Sequence, residues 1–194
     1  LEKRQGEILE ANAADIAAAE SKGTSPAMLD RLALNEGRIH SMAEGLRKVA
    51  GLPDPVGEVI GGGTAASGLR ITKRRVPLGV VGIIYEARPN VTSDAMGLCL
   101  KTGNGVILKG GSEAVASNAA IARIMTEAGI SRGLPEDAVC FVSDTSRECV
   151  NEMMKMNGLI DVLIPRGGSG LIQAVVRGAT VPVIETGVGN CHIF

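Results

Sequence analysis

VPLGVVGIIYEARPNVTSDAMGLCLKTGNGVILKGGSE, residues 76–113, is the stretch whose reading decides the fold. Residues 80–84 are apolar and, Gly82 apart, β-branched, as expected of a parallel strand covered on both faces. The run ends in Tyr85, Glu86, Ala87, Arg88, Pro89 and Asn90. A polar, rigid cluster at the carboxyl end of a buried strand is where an α/β sheet keeps its ligands. Thr92 or Ser93 is then placed to cap a helix over 94–102, with Asp94 in its first turn and Gly103 as its stop. A second apolar strand, 106–108, delivers Lys109, Gly110, Gly111, Ser112 and Glu113 to the start of another helix. Strand, polar loop, helix, strand and glycine turn make up a nucleotide-binding βαβ unit.

Upstream, residues 1–50 carry helical periodicity and read as a packing layer without chemistry. His40 lies beside the apolar stripe of the third helix and reads as a surface residue, because nothing at ligand spacing surrounds it. Residues 51–68 are rich in Gly and Pro and read as a linker, loosest at Gly61, Gly62 and Gly63. The Lys followed by Ser or Thr that a phosphate loop needs is missing there. Residues 69–76, LRITKRRV, predict an exposed hairpin strand whose Lys73, Arg74 and Arg75 form a solvated edge.

Downstream, the pattern predicts a helix over 117–128, a turn at Gly133, Leu134 and Pro135, and a strand at 139–142. A helix capped by Ser146 and running through Met156 follows, then a strand at 162–164. The turn after it carries Pro165, Arg166, Gly167, Gly168 and Ser169 and opens a helix over 171–176. A last strand at 181–184 ends in Glu185. This alternation gives at least five parallel strands and an α/β fold, a doubly wound, mainly parallel sheet preceded by an N-terminal helical segment. The expected division is 1–60 for the helical segment and 61–194 for the nucleotide-binding part, hairpin 69–76 included.

The 194 residues carry a formal net charge of −1 with both signs interspersed, so no electrostatic footprint for nucleic acid or a membrane surface is visible. With 26 Gly, one Tyr, two Phe and no Trp, the composition favours tight βα turns and Ala-rich helices over a base-stacking surface. Cys99, Cys140, Cys149 and Cys191 are scattered without metal or disulfide spacing and read as reduced, mostly buried thiols of a cytoplasmic protein. No apolar run approaches the ~20 residues of a membrane span. The chain lacks an initiating Met and closes on what reads as a strand just beginning, so it is expected to be a fragment.

A loop ending in Pro89 and Asn90, a helix ending in Thr102, Gly103 and Asn104, and a strand running into LKGGSE resemble the aldehyde dehydrogenase superfamily. The loop YEARPNVT narrows the resemblance to the gamma-glutamyl phosphate reductases, or glutamate-5-semialdehyde dehydrogenases, of proline biosynthesis. SPAMLDRL at 25–32, LPDPVG at 52–57 and ETGVGNCH at 185–192 extend it along the chain. The resemblance implies NADPH-dependent reduction of L-glutamyl 5-phosphate to L-glutamate 5-semialdehyde and phosphate, in a cytoplasmic homo-oligomer whose functional partner is glutamate 5-kinase. It also implies that the nucleophilic Cys belongs to a domain absent from this chain, leaving the fragment inactive alone. Alternatives are the reductase half of a bifunctional pyrroline-5-carboxylate synthase, another acyl-reducing member such as an acyl-CoA reductase, and a non-enzymatic nucleotide-binding module.

Residue by residue, Lys109, Gly110, Gly111, Ser112 and Glu113 read on their own as either a structural βα turn or an anion cradle. The resemblance places Lys109 and Glu113 beside the adenosine ribose. It sets Arg166, Gly167, Gly168 and Ser169 at the cofactor pyrophosphate, with Arg166 meeting a phosphate or the solvent. Asn90 matches the superfamily's oxyanion-stabilising amide; the alternative is an Asn that closes a Pro turn. Arg88 is a candidate clamp for an acidic substrate. Glu185 matches a general base of aldehyde oxidisers, and in an acyl phosphate reductase its role shifts to positioning substrate or nicotinamide. Cys191 and His192 are adjacent in a strand pattern and point to opposite faces, so Cys191 reads as a core thiol.

Overall fold

The computed structural model describes residues 1–86 and 88–185; expectations about Ala87 and about 186–194, Cys191 and His192 among them, lie outside the described residues. Three helices come first: α1 (Gln5–Ser21), α2 (Pro26–Leu32) and α3 (Glu36–Gly51). Asn35 caps α3 by accepting the Arg38 N–H at 2.8 Å. Two strands follow, β1 (Val59–Thr64) and β2 (Arg70–Arg74), paired antiparallel as a hairpin. Every residue of both is exposed.

The sheet is built from β3 (Val80–Tyr85), β4 (Gly105–Lys109), β5 (Val139–Phe141) and β6 (Val162–Arg166). Its order is β5-β4-β3-β6, and every pairing is parallel. The crossovers are α4 (Asn90–Lys101), α5 (Val115–Ile130) and α6 (Arg147–Met153), and α7 (Ser169–Gly178) follows β6. One face packs Val81, Ile83, Tyr85, Val106 and Leu108 against Met96 and Cys99 of α4 and Ala122 of α5. The other packs Ile84 and Leu163 against Met153, Met154 and Val175. With helices on both faces, the α/β doubly wound architecture is as the sequence predicts.

The N-terminal helices add a layer over α5, where Ile8, Ile39 and Met42 meet Ile121 and Ile124. Two buried polar side chains lock this layer in place. Asp15 accepts the N–H groups of Ala116 and Ser117 at 3.1 and 2.7 Å and the Ser117 hydroxyl at 2.6 Å. Asn12 donates to the Leu32 carbonyl at 2.9 Å and accepts from the Leu34 N–H at 2.7 Å, fixing the end of α2. Each satisfies backbone groups that burial would otherwise leave unpaired.

Five local expectations change. Of the described cysteines Cys99 is buried, whereas Cys140 is exposed on the short edge strand β5 and Cys149 is half-buried on α6. Residues 59–64 are strand rather than linker, because pairing uses the backbone, and at Gly62 a Cβ would meet the Ile71 carbonyl oxygen at 2.6 Å. Helix α4 begins at Asn90 without a side-chain cap, and Ser93 instead donates to the Asn90 carbonyl at 2.8 Å. Helix α6 stops at Met153 rather than Met156, since the chain turns there toward Thr180, whose N–H donates to the Met154 carbonyl. The fifth strand is reduced to one parallel bridge between Leu163 and Val183. No described helix is long and apolar enough to cross a membrane.

Candidate functional site

Parallel register gathers the site. Ile84 lies opposite Lys109 and Tyr85 opposite Arg166, so β3, β4 and β6 discharge their loops side by side on one rim. Beneath that rim Tyr85, Thr92 and Asn118 form a buried relay. The Thr92 hydroxyl donates to Asn118 Oδ1 at 3.0 Å. Its one proton is thereby used, so the Tyr85 hydroxyl donates to Thr92 across 2.7 Å. Burial pushes the Tyr85 phenol up to about 12, against the opposing effect of the Thr92 hydrogen bond. Asn118 Nδ2 is buried without a partner among the described residues.

On β4, Lys109 is only 3% exposed, and its Nζ donates to the Gly110 carbonyl at 3.0 Å. An ammonium has three donors, and this one spends a single N–H on the protein among the described residues. Gly110 is buried, whereas Ser112 and Glu113 are exposed in a 3-10 turn that opens α5. Asp144 lies in the loop after β5, within reach of the Lys109 charge. Its carboxyl is held below the usual range by the backbone and hydroxyl of Ser146, with Lys109 adding its charge.

On β6, Arg166, Gly167, Gly168 and Ser169 are exposed at the start of α7. The Glu86 side chain folds across Gly167, where a Cβ would come within 2.6 Å of its carboxyl carbon. Its Oε2 accepts the Gly168 N–H at 2.7 Å. Asn90 is the first residue of α4, and its Nδ2 donates to Asp94 Oδ2 at 3.1 Å, leaving a second amide N–H for another acceptor. Burial raises the Asp94 carboxyl above its ordinary value, opposed by the Asn90 hydrogen bond and then by the charge of Arg166.

Two cavities open along this rim. One, of about 420 Å³, is lined by Asn90, Arg88 and Asp94 together with Asp30, Arg31, Arg38 and Met42 of the helical layer. The second, of about 370 Å³, holds Arg88, Arg166, Gly167, Gly168 and Glu86, again with Arg31. The structure thus joins Asn90 to Arg88, and Arg88 to the Arg166 turn. Lys109, Gly110, Gly111, Ser112, Glu113 and the exposed Glu185 line neither cavity. The helical layer, expected to carry no chemistry, supplies walls to both. Sequence reasoning assigned no site role to Arg31, Glu86, Asp94 or Asp144; of these, Arg31 and Glu86 lie inside motifs that carry the resemblance.

Residues 3–190 match the profile described as the aldehyde dehydrogenase family. Curated relatives named gamma-glutamyl phosphate reductase include those of Clostridium beijerinckii, 64% identical over 99% of this chain, and Moorella thermoacetica, 61% identical over 100%. In both cases the chain spans 46% of the relative's length. Among solved structures, the gamma-glutamyl phosphate reductase of Thermotoga maritima superposes with a TM-score of 0.94 at 49% identity, covering 98% of this chain and 46% of that one. The Saccharomyces cerevisiae gamma-glutamyl phosphate reductase gives 0.85 at 32% identity, covering 95% and 47%.

Proposed function

The chain belongs to the aldehyde dehydrogenase family, and from that premise we propose that it is the cofactor-binding part of an NADPH-dependent gamma-glutamyl phosphate reductase. The reaction is reduction of L-glutamyl 5-phosphate to L-glutamate 5-semialdehyde with release of phosphate. The observation that carries this reading is the register that sets Lys109 and Arg166 on either side of the end of β3.

A nicotinamide dinucleotide, which the family implies, fits the residues present. Lys109 offers a buried ammonium with unused donors beside the Gly110 and Gly111 turn, suited to ribose hydroxyls, with Glu113 at the same turn. Arg166, Gly167, Gly168 and Ser169 open a ten-residue helix, whose N-terminal N–H groups suit a pyrophosphate. When bound, the cofactor supplies hydride to an acyl group held as a thioester on a thiol that the family places elsewhere in the parent protein.

This chain's own residues do the rest. Asn90 aims its free amide N–H at the carbonyl oxygen, where negative charge develops, and its bond to Asp94 holds the amide in that orientation. Arg88, shared by both cavities, neutralises an acidic group of the substrate. Glu185, exposed at the carboxyl side of the sheet, positions substrate or nicotinamide rather than activating water, since hydrolysis would discard the acyl group.

The test is the full-length parent supplied with NADPH and glutamyl phosphate made in situ from glutamate, ATP and a glutamate kinase. NADPH loss matched one to one by phosphate release, above the background of spontaneous glutamyl phosphate breakdown without the reductase, is expected. Reduction of an acyl-CoA with no response to glutamyl phosphate overturns the assignment.

A further inference from the structure

Several residues of the helical layer face the rim, Arg31 among them. It lies on α2 and, like Arg88, lines both cavities of the rim. Among the described residues its guanidinium makes no hydrogen bond or ion pair. Arg38, seven residues on and lining the first cavity, is committed elsewhere: its guanidinium clamps the carbonyls of Asp30 and Ala33 and, at 2.8 Å, the Asp30 carboxylate. Its donors thus secure the end of α2, while those of Arg31 stay available.

The platform under Arg31 is stiff. Its neighbour Leu32 is fully buried, and the Leu32 carbonyl is held by Asn12, itself buried and within 3.0 Å of Ser117 on α5. A backbone pinned by buried hydrogen bonds fixes where the Arg31 side chain starts, and only its own rotamers remain to be ordered on meeting a ligand. Charge in the two cavities is uneven. The second holds Arg31, Arg88 and Arg166 against Glu86 alone, and Glu86 is already engaged by the Gly168 N–H. The first places Arg31 and Arg88 in the same space as Asn90, with Asp30, already paired to Arg38, and Asp94 supplying the opposite sign. An α-amino acid end, ammonium plus carboxylate, finds partners of both signs there.

We infer that Arg31, from α2, is a specificity-determining residue that binds the carboxylate of the acidic substrate and so selects an amino-acid acyl group over a neutral one. This rests on the proposed function and adds to it a residue from outside the nucleotide-binding sheet. Shared oxyanion chemistry leaves two other ligands to be separated by experiment, the cofactor's pyrophosphate and the phosphate released.

By microscopic reversibility the full-length parent oxidises glutamate 5-semialdehyde in the presence of phosphate and NADP⁺. Kinetics of wild type, Arg31→Met and Arg31→Lys are compared on that substrate and on butanal, a neutral four-carbon aldehyde, with thermal melting as a folding control. Arg31→Met is expected to raise KM for glutamate 5-semialdehyde about 10- to 100-fold while kcat changes by less than about threefold. KM for butanal, NADP⁺ and phosphate should stay put, and Arg31→Lys should recover part of the loss. An unchanged KM, an equal rise with butanal, or a rise for NADP⁺ or phosphate instead overturns the inference. If Arg31→Met does not fold, Arg31→Gln is held to the same outcomes. A wild type inactive on glutamate 5-semialdehyde sinks the functional reading and this inference together, whereas an active wild type with an unaltered variant sinks this inference alone.

Discussion

Glu86 Oε2 accepts the backbone N–H of Gly168 at 2.7 Å, so a carboxylate from the loop after β3 rests on the first turn of α7. That turn is also where the proposed function seats the cofactor's pyrophosphate. The helix dipole and a charge-assisted hydrogen bond both favour an anion at this point, and two anions cannot share it. Removing the side chain in Glu86→Ala should therefore tighten NADPH binding to the parent enzyme about 3- to 10-fold, measured by calorimetry. Weaker binding would assign Glu86 a role in holding the cofactor instead.

Lys109 is buried yet uses a single donor on the protein. Lys109→Met keeps the length and most of the packing of the side chain while deleting the ammonium. NADPH affinity should fall about 10- to 100-fold with little change in melting temperature. Equal affinity in the two proteins would remove Lys109 from the cofactor site.

The buried relay makes its own prediction. The folded Tyr85 phenol sits at about 12, above its ordinary 10.0, because burial disfavours the phenolate. Below pH 10 both folded and unfolded chains hold this proton, and Tyr85 adds no pH dependence. Between pH 10 and about 12 the unfolded chain binds fewer protons than the folded one, so stability falls as pH rises, by about 2–3 kcal/mol from this group. Tyr85→Phe should abolish that component. With one Tyr and no Trp in the chain, phenolate absorbance reads Tyr85 alone. A titration midpoint near 10 in the folded protein would contradict the buried placement.

Asp15 ties α1 to the start of α5 through three accepted hydrogen bonds. Asp15→Ala orphans two N–H groups and a hydroxyl that are largely out of water, at a cost of about 3 kcal/mol. Urea denaturation should show that loss at an unchanged slope, and a loss below about 0.5 kcal/mol would mean water replaces the carboxylate.

The sheet was legible because parallel strands buried on both faces read as apolar runs, and 80–84, 106–108 and 162–164 stand out between polar turns. Their order in the chain, with helices between, implies parallel strands whose carboxyl ends share a rim; that β4 and β6 flank β3 comes only from the fold. What stayed hidden depends on contacts between segments distant in sequence. The β1 strand escaped notice since its pattern of exposed glycines carries no alternation, and its order comes from β2. Arg31 escaped because helical periodicity reports which face is apolar, not which cavity a polar residue lines. Glu86 was read as one member of a polar loop, and only the fold reveals that its partner lies 82 residues away.

The most direct test is a crystal structure of the parent enzyme with NADPH bound. Density for the pyrophosphate at Gly167, Gly168 and Ser169, with a ribose against Lys109 and Glu113, is the expected result. Cofactor bound away from the ends of β3, β4 and β6 would contradict the central claim that this rim is the dinucleotide site.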